Sequence, residues 1–238
     1  MSSPSPMPLS LIQQAPFARG GNRLCFVHPW DSGRCIKVRR PDYPLQALRR
    51  DKGFPRNLKP LSAFDDNAEE YRVLLGFQRR QGESVFRHVS RCHGFVDTDL
   101  GPGLVNELVR NPDGHIAPTL KWYLWQHGTG EDLERAVSDL IRCWRDLRVP
   151  SRELLLHNIV VQSDPDGRVR RLVVIDGLGS PLLLPFHWLP TGRQRARVER
   201  VIARFRERLE QLAQRRRQGG DFPGLRGHLL HSGKEPQP

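Results

Sequence analysis

Four residues in the first third of the chain are of the types found together where proteins bind phosphate groups. Gly20 and Gly21 lie in a predicted turn between β-prone runs, where backbone N–H groups can approach phosphate oxygens because no Cβ intrudes. Lys37 follows on the next predicted strand, and Glu70 lies on the next predicted helix. A strand lysine can pair with phosphates and a helix glutamate can orient it, so this order predicts phosphate chemistry.

Two side chains with oxygen ligands flank the last predicted hairpin. Asn158 precedes its first strand, and Asp176 directly follows the apolar residues 172–175, which bring the carboxylate to a strand end. Mg²⁺ binds oxygen ligands of this kind and usually shares them with substrate phosphates. Simpler interpretations stay open, because asparagine also caps helices and loops and an Asp-Gly pair favours a turn.

Lys37 and Glu70 also have structural interpretations. A lysine between two apolar strand residues is often an exposed residue of a sheet face, so only the ordered context favours a functional role for Lys37. Asn67 and Glu70 have the spacing of a capping box, which would close the start of the helix. One carboxylate cannot easily fill both roles, and Glu69 is an alternative for either. We expect Glu70 to form the ion pair.

The surrounding sequence predicts strands and helices that position these side chains. The predicted strands are residues 24–27, 35–38, 95–98, 104–109, 159–161 and 172–175. The predicted helices are residues 65–80, 131–148 and 194–216, each with an apolar stripe. The proline-containing, basic residues 41–60 are expected to form a loop, and Asn-Pro-Asp-Gly at 111–114 is the expected lobe boundary.

The ordered set resembles the protein-kinase-like superfamily and, more narrowly, the bacterial PhoP regulatory network protein (YrbL) family. The narrow resemblance rests on residues 20–38, 93–99, 158–160 and 176–179. It covers residues 16–216 and implies an α+β, two-lobed protein-kinase-like fold.

The resemblance also implies a division of the chain. A small antiparallel-sheet N-lobe would span residues 16–110. A truncated helical C-lobe would span residues 111–218 and end in a basic amphipathic helix. Residues 1–15 and 219–238 are expected to be flexible.

The resemblance implies that ATP binds with Mg²⁺ between the lobes, and it assigns roles to individual residues. The residues implied to contact the nucleotide are Gly20, Gly21, Lys37, Glu70, Glu107, Leu108 and Asn158, with Glu107 and Leu108 at the hinge that holds adenine. The implied metal ligands are Asn158 and Asp176. The implied catalytic residues are Lys37, Asp176 and Glu153.

The chain departs from the kinase pattern at three places. Ala18, Gly20 and Arg23 occupy the positions of the three loop glycines. Glu153 replaces the aspartate base of the catalytic loop and is one methylene longer, so a solvated carboxylate or an acid bonded to Arg152 is the simpler interpretation. No A-P-E sequence follows the D-G-L-G segment, which implies that the usual peptide-substrate platform is missing.

The net charge of +12 is unevenly distributed. Residues 1–60 carry +8 and residues 191–218 carry +7, whereas the remainder carries −3. Basic ends could attract an anionic partner such as nucleic acid, an acidic membrane face or a phosphorylated ligand, and a solvated arginine-rich surface is the alternative. No helix-turn-helix, zinc-finger or basic-zipper pattern occurs, so sequence-specific nucleic-acid binding is not expected.

Other classes of protein are excluded by composition. No apolar run reaches the length of a membrane-spanning helix, and the N-terminus lacks the pattern of a secretory signal. Four cysteines without a C-x-x-C pair predict neither a zinc cage nor a disulfide framework, and indicate a cytoplasmic protein.

Two functions remain. One is a kinase-like protein that binds Mg²⁺–ATP and transfers a phosphoryl group to a small-molecule or lipid-like acceptor. The other is a non-catalytic pseudokinase, a regulatory module that binds an anionic partner through its basic ends.

Overall fold

Short β-prone runs separated by glycine turns form two antiparallel sheets in the computed structural model, which describes residues 7–179, 186–224 and 228–229. The strands of these residues are β1 (Ala18–Arg19), β2 (Arg23–His28), β3 (Asp31–Arg39), β4 (Cys92–Val96), β5 (Gly103–Glu107), β6 (Ile159–Ser163), β7 (Val169–Val174) and β8 (His228–Leu229). One sheet has the order β4-β5-β3-β2-β1-β8, and β6 pairs with β7 as a separate hairpin.

Strand β3 is the central element for the arrangement described below. Its side chains alternate between two faces, so Ile36 and Val38 point away from Lys37. Ile36 and Val38 are fully buried in an apolar cluster with Phe26. Lys37 lies opposite Cys25 of β2 in the strand register and is also buried. The strand therefore presents a lysine on one face and an apolar core on the other.

Five α-helices form among the described residues, two in the first half of the chain and three in the second. They are α1 (Leu45–Asp51), α2 (Asp66–Gln81), α3 (Leu120–His127), α4 (Glu131–Leu147) and α5 (Thr191–Arg217). The predicted apolar stripe of α4 is buried, and Trp144 within it donates from Nε1 to Ser151 Oγ at 2.7 Å. The buried face of α5 joins the same core through Val198, Ile202 and Phe205.

Helix α2 begins differently from the predicted capping box. Asp65 is the N-cap, and its side chain accepts hydrogen bonds from the backbone N–H groups of Asn67 and Ala68. The Asn67 side chain instead donates to the Lys37 carbonyl at 2.7 Å, which fastens the helix to β3. Glu70 is therefore not used as a cap and faces the lysine strand.

Backbone hydrogen bonds join β7 to the segment between α2 and β4. Val174 donates to the His88 carbonyl at 2.8 Å, and Ser90 donates to the Val174 carbonyl at 3.0 Å. The Ile175 N–H, just beyond β7, donates to the Asn158 carbonyl at 2.9 Å. The end of β7 is thus fixed relative to both the six-stranded sheet and the segment that carries Asn158.

The architecture confirms the predicted α+β class, with an antiparallel sheet in the N-terminal part and helices in the C-terminal part. Two local expectations were wrong. The predicted loop 41–60 contains α1, which Pro44 precedes at a position where proline is compatible with a helix start, and a 3₁₀ turn at Arg56–Leu58. Helix α3, which Thr119 caps, was not predicted because its eight residues are too few to show a period.

The expected flexible ends also differ from the structure where it describes them. Leu9 and Leu11 are buried, and Asp99 accepts hydrogen bonds from the backbone of Leu11 and Ile12. In the expected tail, His228–Leu229 pairs with β1. The rest of the two expected flexible ends, residues 1–6, 225–227 and 230–238, lies outside the described residues. No helix among the described residues is long and apolar enough to cross a membrane.

Candidate functional site

A cavity of about 380 Å³ lies between the six-stranded sheet and the β6–β7 hairpin. The sequence-predicted residues that line it are Gly20, Gly21, Lys37, Glu107, Leu108, Asn158 and Asp176. Two predicted residues are not among its lining residues: Glu70 lies behind Lys37, and Glu153 lies elsewhere. The fold therefore brings together residues that are up to 156 positions apart in the sequence.

Lys37 is bonded to both halves of the fold. Its Nζ lies 2.6 Å from Glu70 Oε1 and donates to the Ile175 carbonyl at 3.0 Å. The side chains of Lys37 and Glu70 are only 8% and 10% exposed. Burial opposes the lysine charge, but the Glu70 carboxylate outweighs it, so the pKa of Lys37 is raised. Lys37 is a fixed, charged donor at the cavity wall.

Arg23 connects the two carboxylates of the site. Its guanidinium donates from Nη1 to Glu70 Oε2 and from Nη2 to Asp176 Oδ2, the latter at 2.8 Å. Its Nη1 also donates to Asn67 Oδ1 at 3.3 Å. Although burial disfavours its charge, Glu70 and then Asp176 hold the pKa of Arg23 well above its usual value. Lys37, Arg23, Glu70 and Asp176 thus form one continuous network.

Asp176 lies directly after β7 and faces the cavity with 48% of its side chain exposed. Its Oδ1 accepts the Gly177 N–H at 2.7 Å. Burial raises the pKa of this carboxyl, but Arg23 and Lys37 outweigh it and hold the pKa at about 2. Asp176 is therefore ionised, and each of its oxygens accepts a hydrogen bond.

Asn158 ends a 3₁₀ turn, Leu156–Asn158, that leads directly into β6. Its backbone N–H donates to the Leu155 carbonyl at 2.8 Å, and its carbonyl accepts from Ile175. Its side chain lines the same cavity as Asp176. Two backbone bonds fix its position beside the end of β7.

The glycine turn joins β1 to β2. The Gly20 N–H donates to the Arg23 carbonyl at 2.9 Å, and Arg40 donates to the Gly21 carbonyl at 2.9 Å. Neither glycine has a positive φ. A Cβ at Gly20 would lie 3.8 Å from the Arg23 carbonyl oxygen, an ordinary contact, and a Cβ at Gly21 would meet no atom within 4 Å. Nothing within the described chain requires glycine here, whereas a ligand that closely approaches the turn would.

The predicted hinge lies where β5 ends. Glu107 is engaged by other residues, since Oε1 pairs with Arg171 at 3.2 Å and Oε2 accepts the Arg91 N–H at 3.1 Å. The Leu108 N–H donates to the Gly33 carbonyl at 2.8 Å. Leu108, Val109, Ile116, Ala117 and Val160 form an apolar part of the cavity wall. This wall suits a flat heteroaromatic ring better than a charged group.

Glu153 is held by helix α5. Its Oε2 lies 3.1 Å from Arg208 Nη2, and its Oε1 lies 3.9 Å from Arg204 Nη1. Arg152, which the sequence suggested as its partner, pairs with Glu69 instead. The Glu153 carboxylate is therefore directed to the helical part of the molecule and is not among the groups that line the cavity.

The side chains fit a divalent cation poorly in this arrangement. No group of three or more histidine, cysteine or acidic residues comes together in the part of the chain that the structure describes. Asn158 and Asp176 are the two candidate ligands, and Asp176 Oδ2 already accepts the Arg23 guanidinium. A cation at that oxygen would have to displace a bonded arginine.

Two residues of the site were missed as participants. From the sequence, Arg23 was identified only as a residue that replaces a loop glycine. A charged residue at that loop position could have indicated a role in the site. Asn106 is buried in β5, lines the cavity and donates to Glu70 Oε1 at 3.1 Å, while its Oδ1 has no hydrogen-bond partner among the described residues. An asparagine within the apolar run of β5 was the signal for it.

Comparisons with known proteins gave a family and several relatives. The model of the family described as PhoP regulatory network protein YrbL matches residues 9–210. A protein of Escherichia coli (strain K12) described as uncharacterized protein YrbL is 29% identical over 204 residues, which cover 82% of this chain and 87% of the relative. A protein of Shigella flexneri with the same description matches with the same values.

Solved structures were also similar to the chain. A crystal structure of Rad53 1-466 in complex with AMP-PNP matches with a TM-score of 0.45 and 16% identity. The match covers 69% of this chain and 38% of that chain. At this level the similarity does not establish a shared activity.

Proposed function

The chain belongs to the PhoP regulatory network protein YrbL family, and we propose that it binds ATP in the cavity between the six-stranded sheet and the β6–β7 hairpin. The observation that carries this proposal is one cavity of about 380 Å³ that combines an apolar wall with Lys37 and Arg23. Its volume lies within the range of small-molecule sites. The adenine ring would contact Leu108 and Ala117, and the phosphates would contact Lys37.

The binding residues act mainly by position and charge. Lys37 is already oriented by Glu70 and the Ile175 carbonyl, so little side-chain freedom is lost when a phosphate binds. The open space at Gly20 and Gly21 would admit phosphate oxygens to the backbone of the turn. The implied metal ligands Asn158 and Asp176 line the same cavity, but Asp176 Oδ2 is bonded to Arg23, so the proposal covers the nucleotide and not a bound Mg²⁺.

The test is calorimetric titration of the full chain with ATP, using a matched pair of lysine variants. Lys37→Met should weaken ATP binding by about tenfold or more, because it removes a hydrogen bond to a charged group. Lys59→Met, at an exposed lysine that does not line the cavity, should bind like the parent. Equal affinities of Lys37→Met and the parent would contradict the proposal.

Thermal unfolding gives an independent measurement. ATP at about one hundred times its Kd should raise the free energy of unfolding of the parent by about 2.7 kcal/mol. For a chain of this size, the midpoint should rise by several degrees. No rise in the presence of ATP would contradict nucleotide binding.

Two outcomes remain possible for the bound nucleotide, and one observation favours the non-catalytic one. Phosphoryl transfer to a small-molecule or lipid-like acceptor needs a group that accepts the acceptor's proton. Glu153, the candidate for that role, is bonded to Arg208 outside the cavity lining. The position of Glu153 therefore favours a pseudokinase that binds ATP without transferring its phosphoryl group.

ADP formation distinguishes the two functions. The pseudokinase reading predicts that the parent forms no more ADP from ATP than Asp176→Ala does, with or without candidate acceptors. It also predicts that Glu153→Gln leaves ATP affinity unchanged. ADP formation by the parent that Glu153→Gln abolishes would instead establish phosphoryl transfer.

A further inference from the structure

Arg23 occupies a position in the site that attracts cations. It begins β2, directly after the glycine turn, and it lines the cavity with 15% of its side chain exposed. One guanidinium nitrogen contacts Glu70 and Asn67, and the other contacts Asp176. The guanidinium thus lies between the two carboxylates of the site, next to the ends of both sheets.

The network around Arg23 is electrically balanced. Lys37 and Arg23 supply two positive charges, and Glu70 and Asp176 supply two negative charges. A site built for Mg²⁺ usually has carboxylates whose charge the ion neutralises. In this cavity the charge of Asp176 is already neutralised by a bonded arginine, so little excess negative charge attracts a divalent ion.

Arg23 also retains hydrogen-bonding capacity. A guanidinium has five N–H donors in a planar fork, and the three contacts to Glu70, Asn67 and Asp176 do not use all of them. Guanidinium groups bind phosphate oxygens well, and a cation fixed by two carboxylates is already oriented for the task. Lys37 lies in the same network and lines the same cavity.

We propose that Arg23 takes the place of the divalent cation at Asp176, so that the nucleotide phosphates bind against Arg23 and Lys37 without metal. The inference rests on the proposed nucleotide site and specifies the form of ligand that it accepts, a metal-free nucleoside triphosphate. A divalent ion competes with Arg23 for Asp176 Oδ2 and is excluded while the pair is intact.

The competition is tested first with a metal alone. Mn²⁺ binding to the full chain is measured by electron paramagnetic resonance for the parent, Arg23→Gln and Arg39→Gln. Arg39 is the matched control, because it lies opposite Arg23 in the β2–β3 register, pairs with Asp65 and does not line the cavity. Arg23→Gln should bind Mn²⁺ about tenfold more tightly than the parent, since it frees a carboxylate.

A double variant tests whether the gain in Mn²⁺ affinity comes from the Asp176 carboxylate. Adding Asp176→Asn to Arg23→Gln should return Mn²⁺ affinity to that of the parent, and Arg39→Gln should leave it unchanged. Parent and Arg23→Gln chains with equal Mn²⁺ affinity would overturn the proposal. Circular dichroism checks that each variant is folded. Arg23→Lys keeps the positive charge but not the planar guanidinium, so its gain in Mn²⁺ affinity should be smaller than that of Arg23→Gln.

Titration with ATP in EDTA and in Mg²⁺ tests the nucleotide part. The parent should bind ATP with affinities that differ by less than about threefold between the two conditions. Arg23→Gln should lose about tenfold in EDTA and recover with Mg²⁺, because the ion then fills the vacated position. ATP binding by Arg23→Gln in EDTA that equals the parent's would overturn the proposal.

The two proposals fail in different ways. No ATP binding by the parent in either condition would overturn the nucleotide site and the metal-free ligand together. The Mn²⁺ titration would still decide whether Arg23 keeps a divalent ion from Asp176. ATP binding by the parent only with Mg²⁺ would preserve the nucleotide site and overturn the role of Arg23.

Discussion

Several side chains at the cavity bond to more than one partner. The sequence predicts the types and order of these side chains, but it does not predict all of their contacts. Lys37, Glu70, Asn158 and Asp176 could be predicted as a group because their types and order indicate phosphate chemistry. The contact of Arg23 with Asp176 joins residues 153 positions apart and could not be predicted, because no local pattern encodes it. The alternative capping role of Glu70 is resolved only by Asp65, which forms the cap instead.

Gly177 shows how the backbone fixes the neighbouring carboxylate. Its φ is +81°, and a Cβ at this position would lie 2.9 Å from the Glu153 carbonyl oxygen. Both the left-handed conformation and the close approach exclude a larger residue. The glycine thereby lets the chain turn immediately after Asp176.

We expect Gly177→Ala to lower the free energy of unfolding by about 2 kcal/mol, because strain and a close contact add. Gly167→Ala is the control, since Gly167 has a similar φ of +79° but no atom near its Cβ position. It should cost about 1 kcal/mol. Urea denaturation of both variants measures the difference, and equal losses would refute the contribution of the Glu153 carbonyl.

Among the elements, α2 has the largest effect on the site because it carries Glu70. Asp65 Oδ1 caps this helix through the N–H groups of Asn67 and Ala68 and also accepts from Arg39 at 3.2 Å. The cap therefore fixes the helix start against β3, the strand that carries Lys37. The placement of the Lys37–Glu70 pair depends on this junction.

Asp65→Ala should lower the free energy of unfolding by about 1 kcal/mol, the usual value of an N-cap side chain. Ser138→Ala is the comparison, because Ser138 lies on the exposed side of α4 and bonds only to the Glu134 carbonyl within that helix. Its effect should be less than about 0.5 kcal/mol. Chemical denaturation measures the free energy of unfolding of both variants. An Asp65→Ala variant as stable as the parent would show that the cap does not stabilise the fold.

Sequence periodicity predicted the long elements better than the short ones. Helices α4 and α5 have apolar residues over several turns, and both formed within a few residues of the predicted bounds. Helices α1 and α3 have seven and eight residues, too few to show a period. They are stabilised by packing, as the buried Leu48, Leu120 and Leu124 show.

For the molecule as a whole, the positive charge of α5 is only partly available to a partner. Arg208 bonds to Glu153, and Arg216 donates to the backbone carbonyls of Trp125 and Gln126. These arginines hold the last helix against the rest of the fold, a use that the composition could not show. An anionic partner at the remaining exposed arginines stays a prediction, as do the lobe boundary at 111–114 and a cytoplasmic location.

His88 lies in the segment that bonds to β7, and we expect it to make the free energy of unfolding depend on pH. It is 2% exposed, and its Nδ1 lies 2.9 Å from the Leu172 carbonyl. Burial lowers the pKa of His88 in the folded chain and outweighs the hydrogen bond to Leu172, which raises it. The unfolded chain takes up a proton at this residue as the pH falls below about 6.5, whereas the folded chain takes it up only at lower pH.

The free energy of unfolding should therefore fall as the pH is lowered from 7 through about 6. His88→Asn should reduce the slope of this dependence relative to the parent chain. Urea denaturation across this pH interval measures both slopes. A slope that His88→Asn does not alter would assign the pH dependence to other groups.

The buried N-terminal segment covers one face of the six-stranded sheet, and the other face borders the cavity. Leu9 and Leu11 pack with Ile36 and Val38 on the face of β3 opposite Lys37, and Asp99 fixes their backbone. Side chains alternate along a strand, so the face that this segment covers is the reverse of the face that carries Lys37. The N-terminal segment therefore buttresses, from outside the cavity, the strand that places Lys37 inside it.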